Sequence, residues 1–423
     1  MSTVTSDAVP QPLVARTVLV DDPGDLVALL PREASLAWVR RGDGLVGWGE
    51  ALRLEVHGPD RFARAQEEWK QVLAGTVVRD EVGIPGTGPV AFGSFAFADD
   101  GDGVLVVPRV VVGRRGGTSW LTTIGPAALG PAPSLEAVLG ELDPVTSPGQ
   151  VRYRDGQLPT GQWPAVVQQA VAAVRSGRVE KVVMARDVVA ETAEPLDARW
   201  ILGRLAREYP ACWTFRVDRM IGATPELLVR VEKGLVTSRV LAGTIRRTGD
   251  DEADLARAAM LAHSSKDLEE HEYAVRSVAA ALEPYCSSTN VPEVPFVLHL
   301  PNVMHLATDV TAVLDGSATS LDLAAALHPT AAVCGTPTEA AKELIGEIEG
   351  LDRGRYAAPV GWMGADGDGE WGIALRSAEL AEHDPHRLRL FAGCGIVAAS
   401  DPASELAESE AKLAPMRWAM RED

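Results

Sequence analysis

The sequence predicts an α+β fold, with large antiparallel sheets packed together and helices outside. Three observations lead there. β-rich runs punctuated by Gly and Asp turns fill the first third of the chain. Apolar residues at helical spacing recur in the remainder, and there is no internal repeat or heptad array.

Residues 1–14 are expected to be disordered and 15–125 to be mostly β. "LAWVRRGDGLVGWGEALRLEV" holds two β-rich runs around a Gly-Asp-Gly turn near Asp43, a hairpin signal. "VAFGSFAFADDGDGVLVVPRVVVGRRGGTSWLTTI" repeats the device, with turns at Asp100 to Gly103 and Arg114 to Gly117. The Pro/Gly/Ser-rich stretch from Gly125 to Gly161 reads as a long connection with one short helix near Leu135 to Leu142. Neither side of it looks self-contained, so 1–423 is expected to be one domain, with its motif-bearing core over 160–415.

From Trp163 the pattern changes. Trp163, Val167, Ala170 and Val174 keep helical spacing up to Gly177, and "EKVVMARDVVAE" then reads as a strand. "MIGATPELLVRVEKGLVTSRVLAGTIRR" reads as two strands around Lys233-Gly234. A helix follows that carries "KDLEEHEYAV" (266–275). Leu261, Leu268, Val275 and Leu282 form its apolar stripe, and Glu270 faces the other way with His263, Lys266 and Ser277. By periodicity alone Glu270 belongs to a solvated face, weakly paired with Lys266. Then come "NVMHLATDVTAVL", helices near Leu321 to Ala326 and Thr338 to Glu349, and strands at "AAPVGWMGA", "EWGIALRSAEL" and "LRLFAGCGIVAA". "PASELAESEAKLAPMRWAM" closes the chain as a helix.

Composition narrows the function classes. Hydrophobic content of 46% with 23% charge fits a soluble globular protein. Forty Lys and Arg against 59 Asp and Glu give a net charge of −19, which argues against nucleic acid or an anionic membrane as partner. An anionic small substrate needs local Arg, Lys or a metal. Cys212, Cys286, Cys334 and Cys394 lack CxxC spacing and fit reduced thiols. "MSTVTSDAVPQPLVAR" has no basic or apolar leader region, and "VLVVPRVVVG" is too short to span a bilayer, so a cytoplasmic protein is expected.

Several residues admit both a plain and a chemical reading. Lys181 opens a strand after Glu180: either it blunts a sheet edge, or burial makes it a general base. Glu226 follows Pro225 at a strand entrance, as a turn residue or as a general acid with a raised pKa. Glu405, Glu408 and Lys412 share one face of the last helix, a salted surface or, with Glu270, oxygen ligands for Mg²⁺. Gly393 and Gly395 are packing glycines, or they let backbone N–H groups approach an anion. His305 reads as a satisfied core imidazole before a catalyst. Arg376, in an apolar run, calls for a carboxylate partner from protein or ligand.

Together these residues carry a resemblance. "EKVVMARDV", "GATPELLVR", "LAGTIRR", "SSKDLEEHEYAV", "MHLATDV", "LHPTAAVCGTP", "DRGRYAAPVGW", "GDGEWGIALRSAEL" and "FAGCGIVAASDPASELAESEAK" occur in the order found in chorismate-utilising enzymes, and resemble most the isochorismate synthases. The resemblance implies the fold of the anthranilate synthase large subunit, an α/β sandwich of two large antiparallel sheets with external helices. It implies that Lys181 activates water for attack at C2 of chorismate and that Glu226 protonates the departing C4 hydroxyl. Glu270 and Glu408 match its Mg²⁺ ligands, with Glu405 one turn away to assist through water. Thr244, His305, Ala332, Tyr356, Arg376, Gly393 and Lys412 match positions around the substrate.

Within the family, Lys181 fits a water nucleophile. The run "EYAVRSVAAALEP" after Glu270-His271 departs from the "DLxRND" of amino-transferring members, so no glutaminase subunit is expected. Salicylate-forming members tend to carry Thr where this chain has Ala332, which favours stopping at isochorismate. Cys394, Ala358 and Ala312 depart from the usual small residues without touching the catalytic positions. The expectation is a monomeric, Mg²⁺-dependent isochorismate synthase, a hydroxymutase-type isomerase feeding menaquinone or a catechol siderophore. The alternatives are a salicylate synthase, a non-catalytic chorismate-binding subunit and an amidotransferase-partnered aminating enzyme.

Overall fold

The computed structural model describes residues 12–126, 132–140 and 142–422, without the side chains of Lys266 and Glu270. Its described strands form two sheets, almost wholly antiparallel. The first has 13 strands and runs from Val151–Asp155 through Lys181–Thr192, Arg387–Ile396, Ser377–Leu380, Met220–Thr224, Trp213–Val217, Ser35–Arg40 and Asp43–Trp48. It continues through Val110–Arg115, Thr118–Gly125 and Val14–Val20 to Val77–Asp80, and the short Gly335–Thr336 pairs with Lys181 and Val182. The second sheet has 10 strands. Its order is Cys286–Asn290, Val303–Leu314, Leu235–Arg246, Leu227–Glu232, Gly369–Ile373, Pro359–Gly364, Val90–Phe95, Asp102–Val107 and Leu52–His57, with Phe296–His299 also paired to Val303–Leu314.

The sheets meet over a core rich in aromatic residues, where Trp38, Phe92, Trp120, Trp213, Phe215 and Trp362 are buried together. Large rings dominate such a contact because each removes much apolar area from water. Helices cover the outer faces. Ala198–Glu208 and Pro402–Ala419 bury Ile201, Leu205, Leu413 and Met416 against the first sheet. Trp163–Arg175, Ser265–Leu282, Ser320–Leu327 and Thr338–Ile348 pack into the largest cluster.

Two of these helices carry site residues, and local sequence fixes where each begins. Ser264 is extended (ψ 109°) and its hydroxyl accepts from the Asp267 N–H, so one helix ends at His263 and the next starts at Ser265. The apolar stripe of the sequence reading therefore spans two helices, with Leu261 on the first. Asp401 caps the last helix through the Ser404 N–H, and Pro402 occupies its first turn.

Expectation and structure part at identifiable places. Val14, expected to be disordered, opens a strand paired with Val77 and Gly125; residues 1–11 lie outside the described residues. The β-rich third contains the helix Arg61–Ala74, which buries Arg61, Ala65 and Trp69. The long connection holds a strand, Val151–Asp155, besides its short helix Leu135–Leu139. "MIGATPELLVRVEKGLVTSRVLAGTIRR" makes three strands, because the chain leaves the first sheet at Thr224 and enters the second at Leu227. The reverse crossing runs from Ile373 to Ser377, so Arg376 lies in no strand; it sits at the crossing with φ +49°. The two crossings are neighbours. The Ile373 N–H donates to the Glu226 carbonyl, and the Ala223 N–H donates to the Arg376 carbonyl, both at 3.2 Å.

Candidate active site

A cavity of about 250 Å³ opens where the two crossings meet the last helix. Lys181, Glu226, Thr244, His305, Ala332, Tyr356, Arg376, Gly393, Glu408 and Lys412 all line it, together with Glu405 and Gly395. The side chain of Glu270 lies outside the described residues, so its predicted metal role receives no geometry here.

Each wall follows from its local structure. Lys181 begins a strand that is paired to Arg387–Ile396 on one side and, at Lys181 itself, to Thr336 on the other. The edge-blunting reading of Lys181 therefore fails. Thr244 and His305 are partners on adjacent strands, next to a register shift between Ala242 and Thr244, and Thr244 Oγ1 lies 3.0 Å from His305 Nδ1. Gly243 makes the shift with φ +73°, a conformation favouring glycine. The Tyr356 ring stacks on Phe391 at 5.0 Å between centroids. A Cβ at Gly393 would stand 3.1 Å from the Tyr356 hydroxyl and 3.2 Å from the Met184 carbonyl, so glycine keeps that wall open.

The last helix presents Glu405, Glu408 and Lys412 to the cavity. Lys412 Nζ lies 2.7 Å from Glu408 and donates to the Gly393 carbonyl at 2.8 Å. Glu405, Glu408 and Cys394 offer ligand atoms within 4.8 Å of one another.

Burial divides these groups by charge. It pushes the Glu226 carboxyl up to about 8, against the pull of Arg376, Lys181 and Lys412. Glu226 is thus protonated at neutral pH, as a general acid must be. Burial, with Arg376 and Lys412 nearby, pushes His305 down to about 3, so the imidazole is neutral. Its Nδ1 faces Thr244, and its buried Nε2 has no hydrogen-bond partner among the described residues. Burial also moves Tyr356 up to about 12, which leaves its hydroxyl protonated. For Glu408 burial acts upward, but Lys412, Arg376 and Lys181 together hold the carboxyl below its ordinary range. Arg376 thus pulls the carboxyls of both Glu226 and Glu408 downward across the cavity.

Two charged residues of this wall were absent from the sequence reading. Asp267 stands three positions before Glu270 inside the quoted stretch. Arg353, in "DRGRYAAPVGW", is buried and clamps Glu349 at 2.6 Å while donating to the carbonyls of Val183 (2.7 Å) and Val333 (3.0 Å). It braces the strand of Lys181 against the loop of Ala332. Both lie within motifs already singled out, so charge beside those motifs was the available signal.

Comparison with known proteins decides the family. The chorismate binding enzyme family matches residues 31–421. The chain belongs to that family. Among chorismate-binding enzymes, the salicylate biosynthesis isochorismate synthase of Pseudomonas aeruginosa is 36% identical over 410 residues, covering 91% of this chain and 84% of the relative. The crystal structure of DhbC from Bacillus anthracis matches with a TM-score of 0.77 at 32% identity, covering 93% of this chain and 98% of that one. Anthranilate synthase component I from Streptococcus pneumoniae matches with a TM-score of 0.61 at 20% identity over 98% of this chain and 94% of that one, a likeness of fold alone. The sandwich of two large antiparallel sheets is therefore as the sequence implied.

Proposed function

We propose that this chorismate-binding enzyme is a Mg²⁺-dependent isochorismate synthase. This reading is carried by Lys181 and buried Glu226 lining the same cavity, with burial pushing the Glu226 carboxyl up to about 8. Lys181, as base, takes a proton from water as its oxygen bonds to C2 of chorismate. The ring double bonds shift, the C4–oxygen bond breaks, and Glu226 gives its proton so that the hydroxyl leaves as water. One water enters and one leaves, so substrate and product are isomers.

Binding follows from the charges. Arg376 and Lys412 supply positive charge for a dianion inside an acidic protein. The Tyr356 and Thr244 hydroxyls and neutral His305 add polar contacts in the same cavity. The ionised Glu408 with Glu405 beside it is a hard oxygen donor set that fits Mg²⁺, with Glu270 as the further ligand the resemblance implies. When bound, the ion supplies charge neutralisation for the ring carboxylate.

The test is incubation of purified protein with chorismate and Mg²⁺, with products separated by chromatography. Isochorismate is expected. Pyruvate with salicylate would make the protein a salicylate synthase, and an ammonia-dependent aminated product would place it in the amino-transferring branch. Calorimetric chorismate binding without turnover would make it a silent binding subunit.

A further inference from the structure

Behind Glu226 lies a second, far smaller space. Glu226 and Ala332 line the substrate cavity on one side and a cavity of about 10 Å³ on the other. Leu228, Val240, Val278 and Ile373 are among its apolar lining, and Ser238 and Thr330 are hydroxyl residues on the same wall. The volume matches the ~10–15 Å³ that one water requires.

Thr330 is 9% exposed, and its hydroxyl oxygen is buried without a hydrogen-bond partner among the described residues. Its backbone is fixed, because the Thr330 carbonyl accepts from Val333 at 3.1 Å and Cys334 at 3.0 Å. A buried hydroxyl facing an apolar wall is costly, and a water linked to a second polar group removes that cost. Glu226 offers that group. Of the residues bordering this space, Glu226 is the one whose charge changes during the proposed reaction.

We propose that the small cavity is a single-water site in which the water bridges the Thr330 hydroxyl to the Glu226 carboxyl, making Thr330 a positioning residue for the acid. This rests on the isochorismate synthase reading for its chemistry, though the water site stands on geometry alone. Held from behind, Glu226 keeps its O–H directed into the substrate cavity. As that bond breaks and the proton leaves with the C4 hydroxyl, the bridging water donates to the new carboxylate in place of bulk solvent. The proton gained by Lys181 and the one lost by Glu226 balance, and exchange with solvent resets both. Among the described residues, the charged groups facing Glu226 are Arg376, Lys181 and Lys412 from the substrate side. Arg239 borders the small cavity, but Asp309 holds it through two hydrogen bonds of 2.7 Å.

Thr330→Val keeps the shape and deletes the hydroxyl, whereas Thr330→Ser keeps the hydroxyl. In Thr330→Val, kcat should fall roughly tenfold or more, a part of the roughly 10²–10⁴ that a positioned acid contributes. KM should stay within about twofold, and the alkaline limb of kcat/KM should move to higher pH because the carboxylate has lost a donor. Thr330→Ser should regain both rate and limb. Wild-type kcat and pH profile in Thr330→Val, or equal loss in Thr330→Ser, would overturn the positioning role. A crystal structure of the wild-type protein that resolves waters gives a readout free of turnover and of variant folding. Density within hydrogen-bond distance of Thr330 Oγ1 and Glu226 is expected, and an empty cavity would refute the site. Such a water in a protein that makes no isochorismate would refute the proposed function and leave the site intact.

Discussion

Lys412 Nζ lies 2.7 Å from the Glu408 carboxylate and 2.8 Å from the Gly393 carbonyl oxygen, joining the last helix to the strand Arg387–Ile396 at the cavity wall. The ammonium is thus held in place and still lines the site. Lys412→Met removes that charge at similar length. Losing one partner of a hydrogen-bonded pair of this kind costs ~2–5 kcal/mol in binding terms. We expect kcat/KM for chorismate to drop at least about 30-fold, with far-UV circular dichroism unchanged. A drop under threefold rejects the role of Lys412.

Lys181→Ala should abolish turnover and leave the fold intact, since the strand is paired along both sides. Isochorismate formation and thermal melting check the two halves separately. Near-normal activity rules out the assigned base.

Glu226 makes both activity and stability fall as pH rises, over adjoining ranges. Its folded pKa of about 8 means that the acid form is lost as pH rises through 8, so kcat/KM should decline on that side. Its unfolded value is ordinary, about 4.5. Between 4.5 and 8 the folded state binds the extra proton, so this group lowers stability as pH rises across that window. Glu226→Gln should abolish turnover and flatten that part of the stability profile, measured by urea unfolding at pH 5, 6.5 and 8. An unchanged profile contradicts the protonated, buried carboxyl.

Chelation should silence the enzyme, and added Mg²⁺ should restore it. Glu408→Gln and Glu270→Gln should each raise the Mg²⁺ concentration needed for half-maximal rate by roughly 10-fold or more, as removal of a charged ligand from a hard cation requires. Full activity in excess chelator would exclude the metal from the reaction.

Ala332→Thr tests the residue set against the salicylate-forming members. The variant should release measurable pyruvate and salicylate from chorismate, where the native chain is expected to stop at isochorismate. Absence of both would show that Ala332 does not govern the branch.

Most strands and the terminal helices were legible because alternation and helical spacing survive in the sequence. What failed did so for physical reasons. Val151–Asp155 is an edge strand with four exposed residues, so it carries no apolar alternation to read. Arg61–Ala74 does carry Ala65 and Trp69 at i and i+4, but flanking β-rich runs outweighed it. Local patterns also cannot say which sheet a strand joins. Asp102–Val107 and Val110–Arg115 read as one hairpin system, yet they lie in different sheets on either side of Pro108 and Arg109. The same limit hid the crossing that removes Arg376 from any strand.

The site was legible in another way. No spacing within one element could bring Lys181, Glu226 and Glu408 together; the resemblance did, and the cavity contains all three. "KDLEEHEYAV" shows the cost of judging by one helix. Asp267 lies on the same face as buried His271, Ala274 and Val278 and lines the cavity, so the covered face of that helix is wider than its leucine stripe.

The paired crossings at Thr224 to Leu227 and Ile373 to Ser377 have a consequence for how this enzyme can change. Acid and arginine belong to neither sheet, and each backbone is tied to the strand end that carries the other. No excised half of the sandwich could keep one group correctly placed without the other. Recombination between relatives should therefore tolerate exchanges far from these two seams, whereas a breakpoint inside either one should remove activity all at once.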